Sequence, residues 1–340
     1  MSRKMFAKKL ALATTCIITV MGLSFFVQYT SQYQHLKPIS ASGSVARRNM
    51  FMLKSIEKAD LGTNVADETK ESKSFLPDKS VVMFNVMPKS GSRTLYELVA
   101  KMNQTKNITI RNTMDGFNQT YAEKLQEIRR LIYSHDLGFL YTHMKFELFV
   151  KGNKKPKYIS IVRDPIDRLA SLYYFVRYGD DVADQSEAGQ HFRERMEQMN
   201  HSSESFNEYV MSRGLSRHSS TATVRHFCGH DKICGKNNKN AYKNAVENIN
   251  KQYILVGIME DYVSTLKALE ILIPDLFAGV TQIYLDQRKG ILGKMRTKNK
   301  TSISPFVRRK LKEEMKMDYK LYDYLKLKFN RLKAKLNISD

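Results

Sequence analysis

The chain has 340 residues, and 42% of them are hydrophobic. This is enough apolar material for one large domain or two small ones. The class of small proteins that cannot bury a core of their own is therefore excluded. The formal net charge of +22 at pH 7 indicates an acidic partner. Three classes of partner meet that description: nucleic acid, an anionic membrane and an acidic polysaccharide.

The N-terminus contains a nearly continuous apolar stretch, Leu10 to Val27, of roughly the length that spans a bilayer. The residues before it include four cations and no acid: Arg3, Lys4, Lys8 and Lys9. The positive-inside rule predicts a cytosolic tail at 1–9, a transmembrane signal anchor at 10–27 and a lumenal remainder. A cleaved signal peptide is the alternative, since small residues follow at 40–44. In either case the chain enters the secretory pathway, which argues against nucleic acid as the partner.

Residues 28–76 are polar and basic and show no sustained periodicity. We expect them to form a flexible lumenal stem before a domain at 77–340. N-glycosylation sequons agree weakly with a lumenal domain, because single sequons also arise by chance. They begin at six positions: Asn103, Asn107, Asn118, Asn200, Asn299 and Asn337.

The first element of the domain is an apolar run, 81–87, followed by the polar loop 88–94 and a helical pattern from Leu95 to Met102. A strand, a tight loop and a helix in this order direct backbone N–H groups at an anion, and Lys89 and Arg93 add two charges. The loop lacks the Gly-Lys-Ser/Thr ending of nucleotide triphosphatases. The sequence therefore predicts a phosphate or phosphosulfate site, and a surface turn rich in small residues is the alternative.

The later elements alternate between strands and helices, which predicts an α/β domain with a parallel sheet and crossover helices. Strands are expected at 139–143, 158–162 and 253–258. Helices are expected at 123–133, 166–176 and 261–272, and a long helical pattern rich in Lys, Arg and Tyr occupies 305–336.

A second loop follows the strand at 158–162. Arg163 stands at the strand end, and Ser171 comes roughly two helical turns later, so both side chains can reach one phosphate. Pro165 suits the first turn of the helix, and we expect Asp164 to cap that helix or to hold Arg163 rather than to act in the chemistry. For Arg168, a salt-bridged or solvated side chain and a ligand are equally compatible with the sequence.

Three cysteines are present, and Cys16 lies inside the apolar N-terminal stretch. Cys228 and Cys234 remain for the lumen, where a short disulfide loop is the first interpretation. A metal site is the second, because His226 and His230 lie in the same segment, although no further Cys or His pair completes a zinc pattern.

The two loops, with their order and surroundings, resemble the Golgi uronyl 2-O-sulfotransferase family, which includes the heparan sulfate 2-O-sulfotransferases. The resemblance covers most of residues 80–335. It extends beyond the loops to four segments: Tyr173 to Asp180, Phe227 to His230, Leu255 to Ile258 and Pro274 to Gly279. The Gly91–Thr94 ending and the Tyr-rich C-terminal helix look closer to the dermatan/chondroitin branch than to the heparan branch.

The resemblance implies a P-loop-like sulfotransferase fold, a type II Golgi membrane protein, a homotrimer, and 3′-phosphoadenosine 5′-phosphosulfate (PAPS) as co-substrate without a metal. It also implies a disulfide between Cys228 and Cys234. The 5′-phosphosulfate ligands would be Lys89, Ser90, Gly91, Ser92, Arg93 and Thr94, with Lys89 also acting in catalysis. Arg163 and Ser171 match the 3′-phosphate ligands. The loop over the nucleotide would contain Leu292, Lys294 and Thr297.

Sulfuryl transfer needs a group that takes the proton of the acceptor hydroxyl, and histidine suits this task near neutral pH. His143 ends the strand at 139–143 and falls in a segment that matches the one holding the family's catalytic histidine. A lone histidine at a strand end is usually structural, and His135 is the local alternative. The other two histidines of interest, His226 and His230, are assigned to the disulfide loop.

The sequence also departs from the heparan-type pattern on the acceptor side. Val86-Met87 replaces an arginine before the first loop, and residues 182–185 are apolar or acidic where arginines are expected. Arg177, Arg193 and Arg195 are the candidate replacements. The expected reaction is transfer of sulfate from PAPS to the 2-hydroxyl of a hexuronic acid in dermatan/chondroitin or heparan sulfate. The alternatives are a non-catalytic glycosaminoglycan-binding protein and sulfation of a hexosamine 3- or 6-hydroxyl.

Overall fold

The computed structural model describes residues 81–106, 108–113, 120–132, 138–150, 155–182, 204–215, 222–235 and 239–339. The predicted tail, anchor and stem at 1–76 lie outside these ranges, as do His135, Arg193, Arg195 and the sequon asparagines 107, 118 and 200. Within the described ranges, none of the helices combines the length and the apolar character that crossing a bilayer requires.

Five strands form one sheet in which every neighbouring pair is parallel. They are β1 (Val81–Asn85), β2 (Thr109–Asn112), β3 (Gly138–Thr142), β4 (Lys157–Val162) and β5 (Tyr253–Ile258). Their order across the sheet is β2-β3-β1-β4-β5. β1 and β3 are buried at every position, which explains why a central parallel strand reads as a continuous apolar run. The predicted α/β class with a parallel sheet is confirmed.

Twelve α-helices are described, and those predicted from apolar periodicity are present with small shifts at their ends. The first six are α1 (Ser92–Lys106), α2 (Tyr121–Ile132), α3 (Pro165–Tyr178), α4 (Phe206–Arg213), α5 (Ala222–Cys228) and α6 (Lys239–Gln252). The others are α7 (Tyr262–Leu272), α8 (Pro274–Phe277), α9 (Val280–Gln287), α10 (Ile291–Lys294), α11 (Pro305–Glu314) and α12 (Lys316–Lys335).

The helices pack in two groups around the sheet and add a smaller second core. α1, α7, α8 and α9 pack with one another, while α5, α6 and α12 form the other group. A separate apolar cluster joins α3, α4 and α11 through Tyr174, Phe206 and Leu311. This second cluster holds α3, the helix that follows the Arg163 loop, against the rest of the domain.

The expectation of one continuous C-terminal helical pattern is wrong in one respect, because the helix breaks at Met315. Met315 is fully buried in the cluster that contains α3 and α4. Its backbone leaves the helical region, with φ −103° and ψ 19°. The break lets α11 pack against α3 and α4 while α12 packs against α5 and β5.

Candidate active site

All five strands end at the same edge of the sheet, because parallel strands direct their carboxyl ends alike. β1 and β4 lie side by side at its centre, yet the chain leaves β1 toward β2 and leaves β4 toward β5. Ligands of open α/β sheets bind in the crevice that such a change of direction creates. The polar loop 88–94 and the loop that begins at Arg163 border this crevice.

The loop after β1 is held in a tight turn by residues that follow β5. Gly91 has a φ of +78°, and a Cβ at this position would lie 2.8 Å from Cε2 of Tyr262 and closer still to the sulfur of Met259. The Tyr262 hydroxyl donates a hydrogen bond of 3.0 Å to the Gly91 carbonyl. α1 begins directly after the turn, so its free N–H groups and positive dipole end lie at the loop.

The cations of this loop are packed against α3 and the residues that follow it. The Lys89 Nζ lies 3.5 Å from the ring centroid of Phe175, and the Arg93 guanidinium donates to the fully buried Asp180 at 2.5 Å. Burial lowers the pKa of Lys89 to about 7, although the Asp180 carboxylate acts in the opposite direction. An anion bound at Lys89 would restore the charge of this ammonium group.

The loop after β4 meets the first loop directly. The Arg163 guanidinium donates to the Lys89 carbonyl at 3.4 Å. Asp164 accepts hydrogen bonds from the backbone N–H groups of Ile166 and Asp167, both at 3.0 Å, which confirms its predicted capping role. Ser171 is buried on α3, and its Oγ lies 3.4 Å from the Oγ1 of Thr297.

Arg168 does not face this site. It is buried, and the carboxylate of Asp318 on α12 opposes the lowering of its pKa by burial. Asp318 itself accepts hydrogen bonds of 2.9 Å from the backbone N–H groups of Thr223 and Val224. Arg168 is therefore not a solvated side chain, and it is not among the residues that line the cleft described below.

A cleft of about 750 Å³ opens between the two loops and the segment that contains α9 and α10. This volume is typical of small-molecule and cofactor sites. Seven cationic side chains and no acidic one line it among the described residues: Lys89, Arg93, Arg163, Arg288, Lys289, Arg296 and Lys300. An anionic ligand with more than one charged group fits such a lining.

Nine of the predicted ligands line this cleft together: Lys89, Gly91, Ser92, Arg93, Thr94, Arg163, Ser171, Leu292 and Thr297. Two do not. Ser90 is fully buried, and its hydroxyl has no hydrogen-bond partner among the described residues. Lys294 is exposed outside the cleft, and its carbonyl accepts from the Asp181 N–H at 3.1 Å.

Sequence reasoning missed a second set of lining residues. It comprises Met259, Tyr262, Tyr284, Met295 and four of the cations: Arg288, Lys289, Arg296 and Lys300. The density of Lys and Arg at 288–300 was the available signal for these cations. Nothing in the local pattern indicates that Tyr284 reaches the same cleft.

His143 lies at the same sheet edge, directly after β3, and is not among the residues that line the cleft. Its Nε2 is 3.1 Å from the Tyr141 hydroxyl, which donates to the Ser92 Oγ at 3.3 Å. A chain of two hydrogen bonds therefore connects the imidazole to the anion loop. Burial lowers the pKa of His143 to about 4, so the ring is neutral near pH 7 and able to accept a proton.

Cys228 and Cys234 form a disulfide, which confirms the first interpretation of this segment and removes both thiolates from metal binding. His226 is buried on α5, with its Nε2 3.4 Å from the Asn85 carbonyl. Among the residues that the structure describes, no group of three or more His, Cys, Asp and Glu side chains is arranged to hold a metal ion.

Three sequon asparagines fall within the described ranges. Asn103 lies in the last turn of α1, and its Oδ1 accepts from the backbone N–H of Ile108, beyond the helix, at 2.5 Å. Asn299 and Asn337 are exposed. Glycosylation of all three stays a prediction.

Two residues before the polar loop 88–94 stand where the heparan-type pattern has an arginine for the acceptor. Val86 and Met87 are buried, so this position contributes to the core and offers no charge to a ligand. Arg177 lies with its guanidinium 3.6 Å from the ring centroid of Tyr173, on the helix that also carries Phe175.

Comparison with known proteins identifies the family of the chain. The sequence model of the sulfotransferase family matches residues 72–325. The chain is 30% identical to the uronyl 2-sulfotransferase of Homo sapiens over 283 residues, which are 81% of this chain and 69% of that protein. It is 27% identical to heparan sulfate 2-O-sulfotransferase 1 of Gallus gallus over 268 residues, 76% of this chain and 72% of that protein. The chain therefore belongs to the sulfotransferase family.

Proposed function

We propose that this sulfotransferase moves the sulfuryl group of PAPS to the 2-hydroxyl of a hexuronic acid in a glycosaminoglycan. The observation that carries the proposal is a cleft with seven cations and no acid among its described lining residues, connected by hydrogen bonds to a neutral imidazole. The names of the relatives, a uronyl 2-sulfotransferase and a heparan sulfate 2-O-sulfotransferase, support the choice of acceptor.

The residues of the cleft fit a nucleotide that carries phosphate at two positions. Lys89, the α1 N-terminus and Arg93 would hold the 5′-phosphosulfate, and Gly91 leaves the space that a side chain would fill. Arg163 and Ser171 would bind the 3′-phosphate, with Thr297 beside Ser171. PAPS supplies the activated sulfuryl group when it is bound.

His143 would take the proton of the acceptor hydroxyl. Its neutral state near pH 7 suits a base, and the link through Tyr141 to Ser92 places it next to the anion loop. Lys89 would provide positive charge at the donor side of the reaction, where an ammonium group stabilises developing negative charge.

The cellular setting is proposed from the sequence alone. An anchor at 10–27 and a stem at 28–76 would hold the catalytic domain in the Golgi lumen, where glycosaminoglycan chains are its acceptors. The positive charge of the chain agrees with a polyanionic acceptor.

The test is an assay of the full-length chain with PAPS that carries labelled sulfate and a panel of desulfated glycosaminoglycans. We expect label on the 2-position of uronic acid after the product is degraded to disaccharides. Label on a hexosamine 3- or 6-hydroxyl would contradict the proposed acceptor position and support the alternative one. The absence of transfer to every member of the panel would contradict the proposal.

A further inference from the structure

The segment after β3 presents alternate residues to the core and to an open side. Met144 and Phe146 are buried in the main core, whereas His143, Lys145 and Glu147 are partly exposed. This alternation of burial places His143 and Lys145, two residues apart, on the same partly exposed side of the segment.

A second cation reaches this region from α5. The Phe146 N–H donates to the His226 carbonyl at 2.7 Å, which fixes the segment against α5 one residue away from Arg225. Burial lowers the pKa of Lys145 to about 8, and the positive charge of Arg225, which lies nearby, acts in the same direction. Burial lowers the pKa of His226, next to Arg225, to about 3, and the proximity of His143 acts in the same direction.

Among the described residues, Arg225 has no acidic ion-pair partner. The nearest acid along the open side, Glu147, accepts a hydrogen bond from the Tyr121 hydroxyl at 3.3 Å and lies close to Arg129 and Asp231. A partly buried cation that lacks an acidic partner costs free energy, which a bound anion would offset.

We propose that Arg225 and Lys145 bind an acidic group of the acceptor chain, so that its neighbouring hydroxyl is held at His143. The inference rests on the proposed function and adds an acceptor-specificity site to it. The order of the groups suits the transfer. The anion loop connects to His143 through Tyr141, Lys145 lies two residues further along the chain, and Arg225 approaches Lys145 from α5; Lys145 and Arg225 are called the cation pair. An oxyanion is the shared chemistry, and both a uronic carboxylate and a sulfate already on the chain supply it.

The test compares steady-state kinetics of the full-length wild type with Arg225→Gln and Lys145→Gln. Each variant should raise the KM for a desulfated, uronate-containing acceptor roughly tenfold or more, because a charge-assisted contact is lost. The kcat and the affinity for adenosine 3′,5′-bisphosphate should change by less than about twofold, since neither residue lines the donor cleft. Arg213→Gln, an exposed cation on α4 whose partner is Glu204, is the matched control and should not raise KM.

Two further acceptors identify which oxyanion is bound. A carboxyl-reduced, sulfated chain should show no difference between wild type and variants if the carboxylate is the ligand, and the same KM increase if sulfate is the ligand. Arg225→Lys, which keeps the charge, should restore part of the affinity. An unchanged KM in both Gln variants would overturn the proposal, and so would loss of nucleotide binding in both, because the two cations would then support the fold.

Failure of the inference is separable from failure of the proposed function. If the wild type transfers no sulfate, binding of the unsulfated acceptor can still be measured by calorimetry with wild type and variants. Equal acceptor affinities in that experiment would overturn the cation-pair site independently of any turnover.

Discussion

Burial lowers the pKa of both Lys89 and His143 below the values that these groups have in water, to about 7 and about 4. Burial of the Lys89 ammonium group costs free energy, which a bound anion would offset. For His143, burial yields a neutral base at the pH of a cell. The two residues therefore lead to separate predictions: Lys89 to one about donor binding, and His143 to one about turnover.

Replacement of His143 by alanine should lower kcat by about 10²–10⁴-fold, since the variant lacks the group that takes the hydroxyl proton. The affinity for adenosine 3′,5′-bisphosphate should stay within about twofold, because His143 does not line the cleft. Turnover with labelled donor and nucleotide calorimetry measure the two quantities. Near-normal turnover by this variant would show that another group is the base.

Donor affinity should fall as the pH rises from about 7 to 9. The pKa of Lys89 is about 7 in the free protein, and the negative donor would raise it, so binding above pH 7 requires uptake of a proton. The charges of Asp180, Arg93, Lys300 and Arg163 also act on the pKa of Lys89 in the free protein. Calorimetry of adenosine 3′,5′-bisphosphate in buffers of different ionisation enthalpy should detect up to about one proton taken up.

Lys89→Arg is the control for this titration, because a guanidinium stays charged throughout the range. Its nucleotide affinity should vary less with pH than that of the wild type. If the wild-type affinity does not change between pH 7 and 9, Lys89 does not contact the bound phosphates in the proposed way.

At the scale of elements, the turn between β1 and α1 depends on the absence of a side chain at Gly91. Gly91→Ala should weaken nucleotide binding more than tenfold, because the new Cβ would overlap Met259 and Tyr262 and move the loop. Gly214→Ala is a matched control: its φ is also positive, at +67°, but no heavy atom lies within 4 Å of the added Cβ. It should cost about 1 kcal/mol of stability and leave nucleotide affinity unchanged. Equal effects of the two substitutions on nucleotide affinity would contradict the crowding argument.

The elements that could be predicted from the sequence are those whose burial leaves a pattern. β1, β3, β4 and β5 are apolar runs, and α7 has an apolar face, so each was found close to its real bounds. β2 was missed because its four residues lie at the sheet edge, and none of them is buried. α6 was missed because its buried face is made of small residues, Ala241 and Ala245, with Ile249.

Contacts between distant segments left no comparable pattern. The break at Met315 follows from a cluster assembled by α3, α4 and α11, which no local periodicity reveals. The link from His143 through Tyr141 to Ser92 likewise depends on the pairing of β3 beside β1. The residues of the anion loops were predictable because strand, loop and helix are contiguous in the chain, whereas Tyr284 and Arg288 reach the cleft from a distant segment.

For the whole molecule, the central claim is that one cleft at the carboxyl edge of the sheet binds a nucleotide by both of its phosphate ends. The most direct measurement is a thermodynamic cycle with two ligands, adenosine 3′,5′-bisphosphate and adenosine 5′-monophosphate, and two proteins, the wild type and Arg163→Gln. Arg111→Gln, which removes an exposed arginine of the edge strand β2, is the control.

The account predicts that the wild type and Arg111→Gln bind the bisphosphate about 10- to 100-fold more tightly than the monophosphate. In Arg163→Gln the affinities for the two nucleotides should differ by less than about threefold. The contact needs both the Arg163 guanidinium, which the variant lacks, and the 3′-phosphate, which the monophosphate lacks. A ratio that stays at its wild-type value in Arg163→Gln would contradict the claim that the second loop holds the 3′-phosphate.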